Sequence, residues 1–320
     1  MKVNKLFNLI VLAAIVATAI SCSSESGETL RPPTAAEFNE MRTKALERIT
    51  QTMMFNAEDG IDFTSDKGAR FYLPASQIKL NGTLVTGPVK LEFVELYKNG
   101  NMLVVNKPLM GTAIDGTSKG PMITGGQFYI NVTKDGNQID EDYYSMTVPA
   151  ENTEEPPNPD MTFWVGAENE NDNMEWDEID EQRGGVVWGE GNDYNLIGRF
   201  FCWINIDILY NLLGPKARVW IKVPQGYDNK NCAVYVVYKD QPGALAYMDV
   251  WDPTEKMFTE HYGLAPIGMN FYVVFVSVYE DHYVYAYKDV TVEDNQIITF
   301  TQSDLRGIDE ESLIWLINNM

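Results

Sequence analysis

From Gly60 onward the apolar side chains of this 320-residue chain recur mostly at every second position, in short runs separated by turn-forming residues. Leu91 and Phe93 alternate with Glu92 and Val94, and Phe128, Ile130 and Val132 share one side of the run from Gln127 to Lys134. Successive side chains of a strand point to opposite faces, so this alternation marks strands with one buried face. Asn81-Gly82, Asn99-Gly100 and Asp135-Gly136 punctuate the runs. Such pairs suit a type I′ hairpin, whose two central residues both need positive φ. No helical pattern separates these strands, which disfavours a parallel α/β sheet. We expect a mainly β fold of two antiparallel β-sandwich-like domains, with an N-terminal helix and a short C-terminal helix.

Thr34 and Glu37 form a capping box, and Phe38, Met41, Ala45, Ile49 and Met53 follow at helical spacing. This predicts an amphipathic helix over 34–57, packed on the β domain that follows it. The first β domain is expected over 60–150. Residues 151–191 have a different composition: between Glu151 and Glu181 there are many acidic side chains and no Lys or Arg, with Pro156, Pro157 and Pro159 at the start and Gly184, Gly185, Gly189 and Gly191 at the end. Like charges at this density repel one another, so the stretch reads as an acidic connecting segment carrying short strands at Met161–Val165 and Gly185–Trp188. The second β domain is expected over 192–306. A final helix over 308–320 has Asp309, Glu310 and Glu311 at its positive end and Leu313, Leu316 and Ile317 to dock it.

At the other end of the chain, Lys2 and Lys5 precede an apolar stretch from Leu9 to Ile20, followed by Ser21, Cys22 and a polar run. It is too short for a spanning helix and reads as a secretory signal over 1–21. The segment resembles a bacterial lipoprotein signal, although Ala19 stands where such signals usually carry leucine. The resemblance implies that Cys22 is acylated (palmitate) and becomes the mature N-terminus, on a polar tether over 22–33. The alternative is an ordinary cleaved signal with an incidental cysteine. Acyl chains contribute about 0.8 kcal/mol per buried CH₂, so several together hold a protein on a bilayer. The lipid bilayer is then the first expected partner. Nucleic acid is not expected, because 46 Asp and Glu against 24 Lys and Arg give a formal charge of -22 with no basic patch.

Two stretches carry a wider resemblance. The first is Ala69-Arg-Phe-Tyr-Leu-Pro-Ala75, followed by Val85-Thr-Gly-Pro-Val-Lys-Leu-Glu-Phe93 and Gly125-Gly126-Gln127-Phe128; the second is Trp203-Ile-Asn-Ile-Asp207. Together they resemble a group of Bacteroidetes secreted lipoproteins whose N-terminal domain is similar to ZU5-type β-sandwiches. The likeness runs from about residue 60 to the end. It departs where relatives carry Gly-Trp-Ile-Asn-Cys-Asp: here Cys202 precedes the tryptophan and Ile206 replaces the later cysteine. The resemblance implies an outer-membrane lipoprotein displayed at the cell surface, with a periplasm-facing location as the alternative, and brings no catalytic residue with it.

The chemistry-bearing residues are few. No H-E-x-x-H, P-loop or G-x-G-x-x-G is present, and we expect no hydrolytic nucleophile elbow and no catalytic residues. Cys202 lies on a strand face with Ile204, Ile206 and Ile208, and Cys232 with Val234 and Val236, so a disulfide and two buried free thiols are both open readings. No cofactor is expected apart from a structural Ca²⁺ held by Glu168, Glu170 and Asp172, whose hard oxygens sit at alternate positions; the alternative is a solvated acidic loop. Trp164, Trp176 and Trp188 lie in or beside the acidic segment, where burial is least assured, and are the candidate ligand-binding rings. Trp203 and Trp220 read as core, and Tyr283, Tyr285 and Tyr287 share one strand face.

These readings point to a non-catalytic, membrane-anchored surface lipoprotein that binds a ligand or supports envelope assembly, with an envelope protein as partner. The alternatives are a glycan-binding lipoprotein of a polysaccharide uptake system and a carboxylate-dependent glycoside hydrolase, which needs two acids about 5–9.5 Å apart.

Overall fold

The computed structural model describes residues 30–153, 155–169, 173–239, 241, 243–262 and 265–320. The signal segment and Cys22 lie outside the described residues. The protein is mainly β, and its larger sheets form two sandwiches. Sheet I runs in the order Gly185–Glu190, Asp193–Gly198, Tyr144–Pro149, Arg70–Leu73, Ile61–Thr64. Sheet II runs Gln51–Asn56, Pro88–Leu96, Lys119–Lys134, Trp203–Leu209, Thr162–Glu168, Met174–Ile179, Met110–Thr112. Sheet III is Leu245–Tyr247, Ala233–Tyr238, Asn270–Tyr279, His282–Thr291, Arg306–Ile308, and sheet IV is Val250–Asp252, Met257–Thr259, Trp220–Lys222, Ile297–Thr299.

Three apolar cores alternate with these four layers. Phe71, Tyr144 and Leu196 of sheet I meet Phe93, Phe128, Phe163 and Ile204 of sheet II in the first. Val94, Trp164 and Trp203, on the opposite face of sheet II, meet Tyr235, Val237, Val274 and Tyr283 of sheet III in the second. Val234, Val236 and Phe275, on the far face of sheet III, meet Ile221, Phe258 and Ile298 of sheet IV in the third. Sheet III and the central strands of sheet II are therefore covered on both faces. That is why Ala233–Tyr238 reads as an unbroken apolar run in which every residue is buried.

Helix α1, Ala35–Ile49, has the expected capping box: Thr34 accepts from the Glu37 amide, and the Glu37 carboxylate accepts from the Thr34 amide. The Arg31 guanidinium, with the Thr34 amide and hydroxyl, lowers the Glu37 carboxyl to about 2. The helix stops at Ile49 rather than running to 57. Residues Gln51–Asn56 instead pair antiparallel with Pro88–Leu96, and Met53, counted at helical spacing, is exposed on this edge strand. Two methionines and a phenylalanine after Thr50 satisfy a strand as readily as a helix, and an open edge of sheet II decides between them. The apolar stripe of α1 also finds a different partner. Phe38 and Ala45 enter the middle core, and the Arg42 guanidinium reaches Tyr235 of sheet III.

Asp135-Gly136 and Asn81-Gly82 are hairpin turns with positive φ at both residues. Asn99-Gly100 is not a turn; it opens helix α2, Asn99–Val104. Gly100 is required there because a Cβ would stand 2.4 Å from the Ile314 carbonyl oxygen of helix α3, Glu310–Asn318. Asp309 caps α3, and Leu313 and Ile317 dock it in the middle core as expected, while Ile314 rather than the expected Leu316 packs beside them.

Residues 151–191 do not connect two domains. They supply Thr162–Glu168 and Met174–Ile179 to sheet II and Gly185–Glu190 to sheet I, and Trp203–Leu209, expected in the second domain, also lies in sheet II. The first sandwich thus extends to Leu209, and the second begins near Lys216. In Met174-Glu175-Trp176-Asp177 the apolar residues are buried and the acids exposed. The acids occupy the wet side of a period-two strand, so their charge density hides an alternation that was present all along.

Candidate functional site

Part of sheet II closes on itself: Lys119–Lys134, Trp203–Leu209, Thr162–Glu168, Met174–Ile179 and Met110–Thr112 pair in turn, and the last pairs back to the first. Two of the candidate binding tryptophans are consumed here. Trp164 and Trp176 are each 1% exposed. Trp176 lies in register between Gly166 on one neighbouring strand and Gly111 on the other. A Cβ on Gly111 would come within 2.8 Å of the Trp164 ring, so the glycines make the room the indoles fill. The indole N–H groups donate to the carbonyls of Asp207 and Pro108, both at 2.9 Å. With ring and N–H both satisfied inside the protein, neither tryptophan can stack on a ligand.

Trp188 has the opposite environment. It is 42% exposed on the outer face of sheet I. Strand register places Thr64, Arg70, Thr147, Asn195 and Trp188 in one cross-strand row, and Asp62, Tyr72, Ser145, Ile197 and Val186 in the next. Tyr72 and Ile197 are exposed as well. The strands carrying Trp188 and Tyr72 are three pairings apart, or about 14 Å at ~4.8 Å per step. Between them, Thr147 Oγ1 donates to Asn195 Oδ1 at 2.9 Å, which orients the amide. The Asp62 carboxylate accepts from Arg70 Nε at 2.7 Å. Just beyond Trp188, where Glu190 pairs with Asp193, a groove of about 290 Å³ is lined by Ala150, Glu151, Glu155, Pro156, Pro157 and Asn192. The face therefore combines flat ring surface with carboxylate and amide acceptors beside it, an arrangement that packs against C–H groups and accepts from hydroxyls. Tyr72 and Ile197 were not among the sequence candidates. Their alternation with Phe71 and Leu196 was the available signal.

The remaining candidates are dispersed. Glu168 accepts from Lys107 Nζ, and Glu170 and Asp172, the other two residues of the expected calcium set, lie outside the described residues. Cys202 and Cys232 are free thiols in the first and third cores, so the disulfide reading gives way. Two sheets lie between those cores at about 10 Å per layer, too far for the Cα separation a disulfide needs. Burial, and to a lesser degree Glu141, pushes the Cys202 thiol up to about 12. Tyr283 and Tyr285 pack in or against the middle core, while Tyr287 is exposed.

Two further clusters bear on chemistry. Gly116-Thr117-Ser118-Lys119-Gly120 does match the elbow pattern G-x-S-x-G, contrary to the expectation that none is present. It lies in the hairpin joining Met110–Thr112 to Lys119–Lys134, where Ser118 Oγ donates to Asp115 at 2.6 Å. That is a strand-to-strand turn, whereas a nucleophile elbow needs a strained strand-to-helix turn. Elsewhere, Asp249 is 2.6 Å from His261 Nδ1 and accepts from Asn173 Nδ2 at 3.2 Å. The Asp249 hydrogen bond raises the His261 pKa against the opposing effect of burial. Among the described residues His261 makes no hydrogen bond to a hydroxyl or thiol. Among them also, no helix is long and apolar enough to cross a membrane.

No protein-family model matches the chain, and no curated protein is similar to it.

Proposed function

We propose that the protein is a non-catalytic lipoprotein, anchored through acylated Cys22 and displayed at the cell surface, whose body is a ligand-binding module. Its ligand is a neutral glycan held on the outer face of sheet I. The observation that carries this reading is Trp188, a large ring left exposed in a protein that buries its neighbours Trp164 and Trp176 completely. Hydroxyl-rich, uncharged chains suit the surroundings. The ring offers stacking area, Thr147 and Asn195 offer hydrogen bonds, and Glu151, Glu155 and Glu190 accept from hydroxyls while repelling anions. The resemblance to Bacteroidetes ZU5-like lipoproteins and the lipoprotein-like signal support the anchored, surface-exposed setting.

A glycan-array screen of the purified full-length chain, with and without calcium, tests the reading. Binding to neutral glycans that Trp188→Ala reduces at least tenfold is the expected result. Loss on calcium removal would add the ion as a cofactor of the same face. A flat array in both conditions, or binding unchanged by Trp188→Ala, would sink the proposal.

A further inference from the structure

On the far side of the first sandwich, a cleft of about 310 Å³ opens where α1 meets the chain just after α2 and the end of the strand Thr162–Glu168. Asn39, Arg42, Thr43 and Leu46 line it from the helix, Val105, Asn106 and Lys107 from the second segment, and Glu168 from the strand. Two cations face one carboxylate, in a chain where acids outnumber Lys and Arg by 46 to 24.

Arg42 is the informative member. Arg31, Arg48, Arg70, Arg183 and Arg199 each pair with a carboxylate. Arg42 has no acidic partner among the described residues. Its guanidinium carbon sits 4.1 Å from the Phe38 ring centroid, and Nη2 donates to Tyr235 Oη at 3.3 Å. Tyr235 Oη in turn donates to Asn106 Oδ1 at 2.7 Å. The Phe38 ring and the Tyr235 and Tyr247 hydroxyls hold the buried guanidinium without neutralising it. A guanidinium has five N–H donors in a fixed fork, so donors remain for a ligand. Lys107 is set behind it: its side chain is 7% exposed, its ammonium lies 5.2 Å from the Trp203 ring centroid, and its ion-pair partner Glu168 is 43% exposed.

We propose that this cleft binds a hydroxylated carboxylate of single-sugar size. The carboxylate takes the Arg42 N–H donors that Tyr235 and Tyr247 leave unused where the side chain lines the cleft. Leu46 and Val105 cover the carbon skeleton, while Asn39 and Thr43 lie within reach of its hydroxyls. The volume is at the low end of the roughly 300–1,000 Å³ of ligand sites, which matches one ring rather than a chain. Lys107 strengthens the positive field, and Glu168 opposes it. The inference is independent of the sheet I reading, which concerns another face and an uncharged ligand.

Isothermal titration of the full-length chain with D-galacturonate and with D-galactose is the test. Galacturonate binds, and galactose is at least tenfold weaker. Arg42→Gln removes at least tenfold of the galacturonate affinity, Arg42→Lys recovers part of it, and Glu168→Gln tightens binding because Lys107 is released from its partner. Unfolding midpoints of each variant separate a lost site from a lost fold. Equal binding of the two sugars, no binding of either, or affinity indifferent to Arg42→Lys and Glu168→Gln in folded protein overturns the proposal.

Discussion

Val236 and Val237 are chain neighbours in the middle of sheet III, 2% and 1% exposed, yet they belong to different cores. In a sheet with one wet face, one of the two would be near the surface and its truncation would cost within about ±0.5 kcal/mol. Here each Val→Ala change removes two carbons from a closed interior. At about 0.8 kcal/mol per CH₂ the transfer loss is ~1.6 kcal/mol, and incomplete collapse of the cavity brings each to about 2 kcal/mol. Equilibrium unfolding in urea measures this. With a slope of about 2 kcal/mol per M, each variant shifts the midpoint down by roughly 1 M at unchanged slope. Ile197→Ala, on the exposed face of sheet I, serves as the control and moves it by no more than about a quarter of that. A Val237→Ala midpoint equal to the wild type, beside a fully shifted Val236→Ala, would refute the covered second face of sheet III and with it the stacking of the two sandwiches.

Two pH-dependent outcomes follow from individual side chains. Asp207 is fully buried, with Oδ2 accepting from Asn205 at 2.8 Å and Oδ1 without a partner among the described residues, and burial raises its carboxyl well above the usual range. The folded state therefore keeps a proton that the unfolded chain releases above about pH 4, so stability falls as pH rises from there to the raised folded value, by up to about 1.4 kcal/mol per unit. Asp207→Asn removes that slope, and parallel stability–pH curves for the variant and the wild type would contradict it. His261 has the opposite sense: its pairing with Asp249 stabilises fully below the ordinary histidine pKa and fades as pH climbs through the raised folded value. Because the ring is 38% exposed and solvent-screened, His261→Gln should lower stability by less than about 1 kcal/mol at pH 6 and converge with the wild type at alkaline pH, read by thermal melts.

Local chemistry was legible where it was self-contained. The capping box at Thr34 and Glu37, the hairpins at Asp135-Gly136 and Asn81-Gly82, and two of the three docking residues of α3, Leu313 and Ile317, follow from a few neighbouring residues and are where the spacing predicts. The candidate site was legible only in part. Trp188 was singled out together with Trp164 and Trp176, because linear position beside acids is the same for all three.

Alternation along the chain determined that this protein is built of strands and which side chains share a face. It could not say what lies against that face, because alternation reports which side chains are apolar and not which distant element covers them. Tertiary structure alone decided that Met174-Glu175-Trp176-Asp177 is a core strand, that Gln51–Asn56 pairs as an edge, and that the two cysteines sit in separate cores. It also decided that Gly111 and Gly166 bury one pair of indoles while a third, Trp188, is left in solvent. The physical reason is that burial is a property of partners brought together from distant parts of the chain. The cleft at Arg42, Lys107 and Glu168 joins three segments that no local pattern relates.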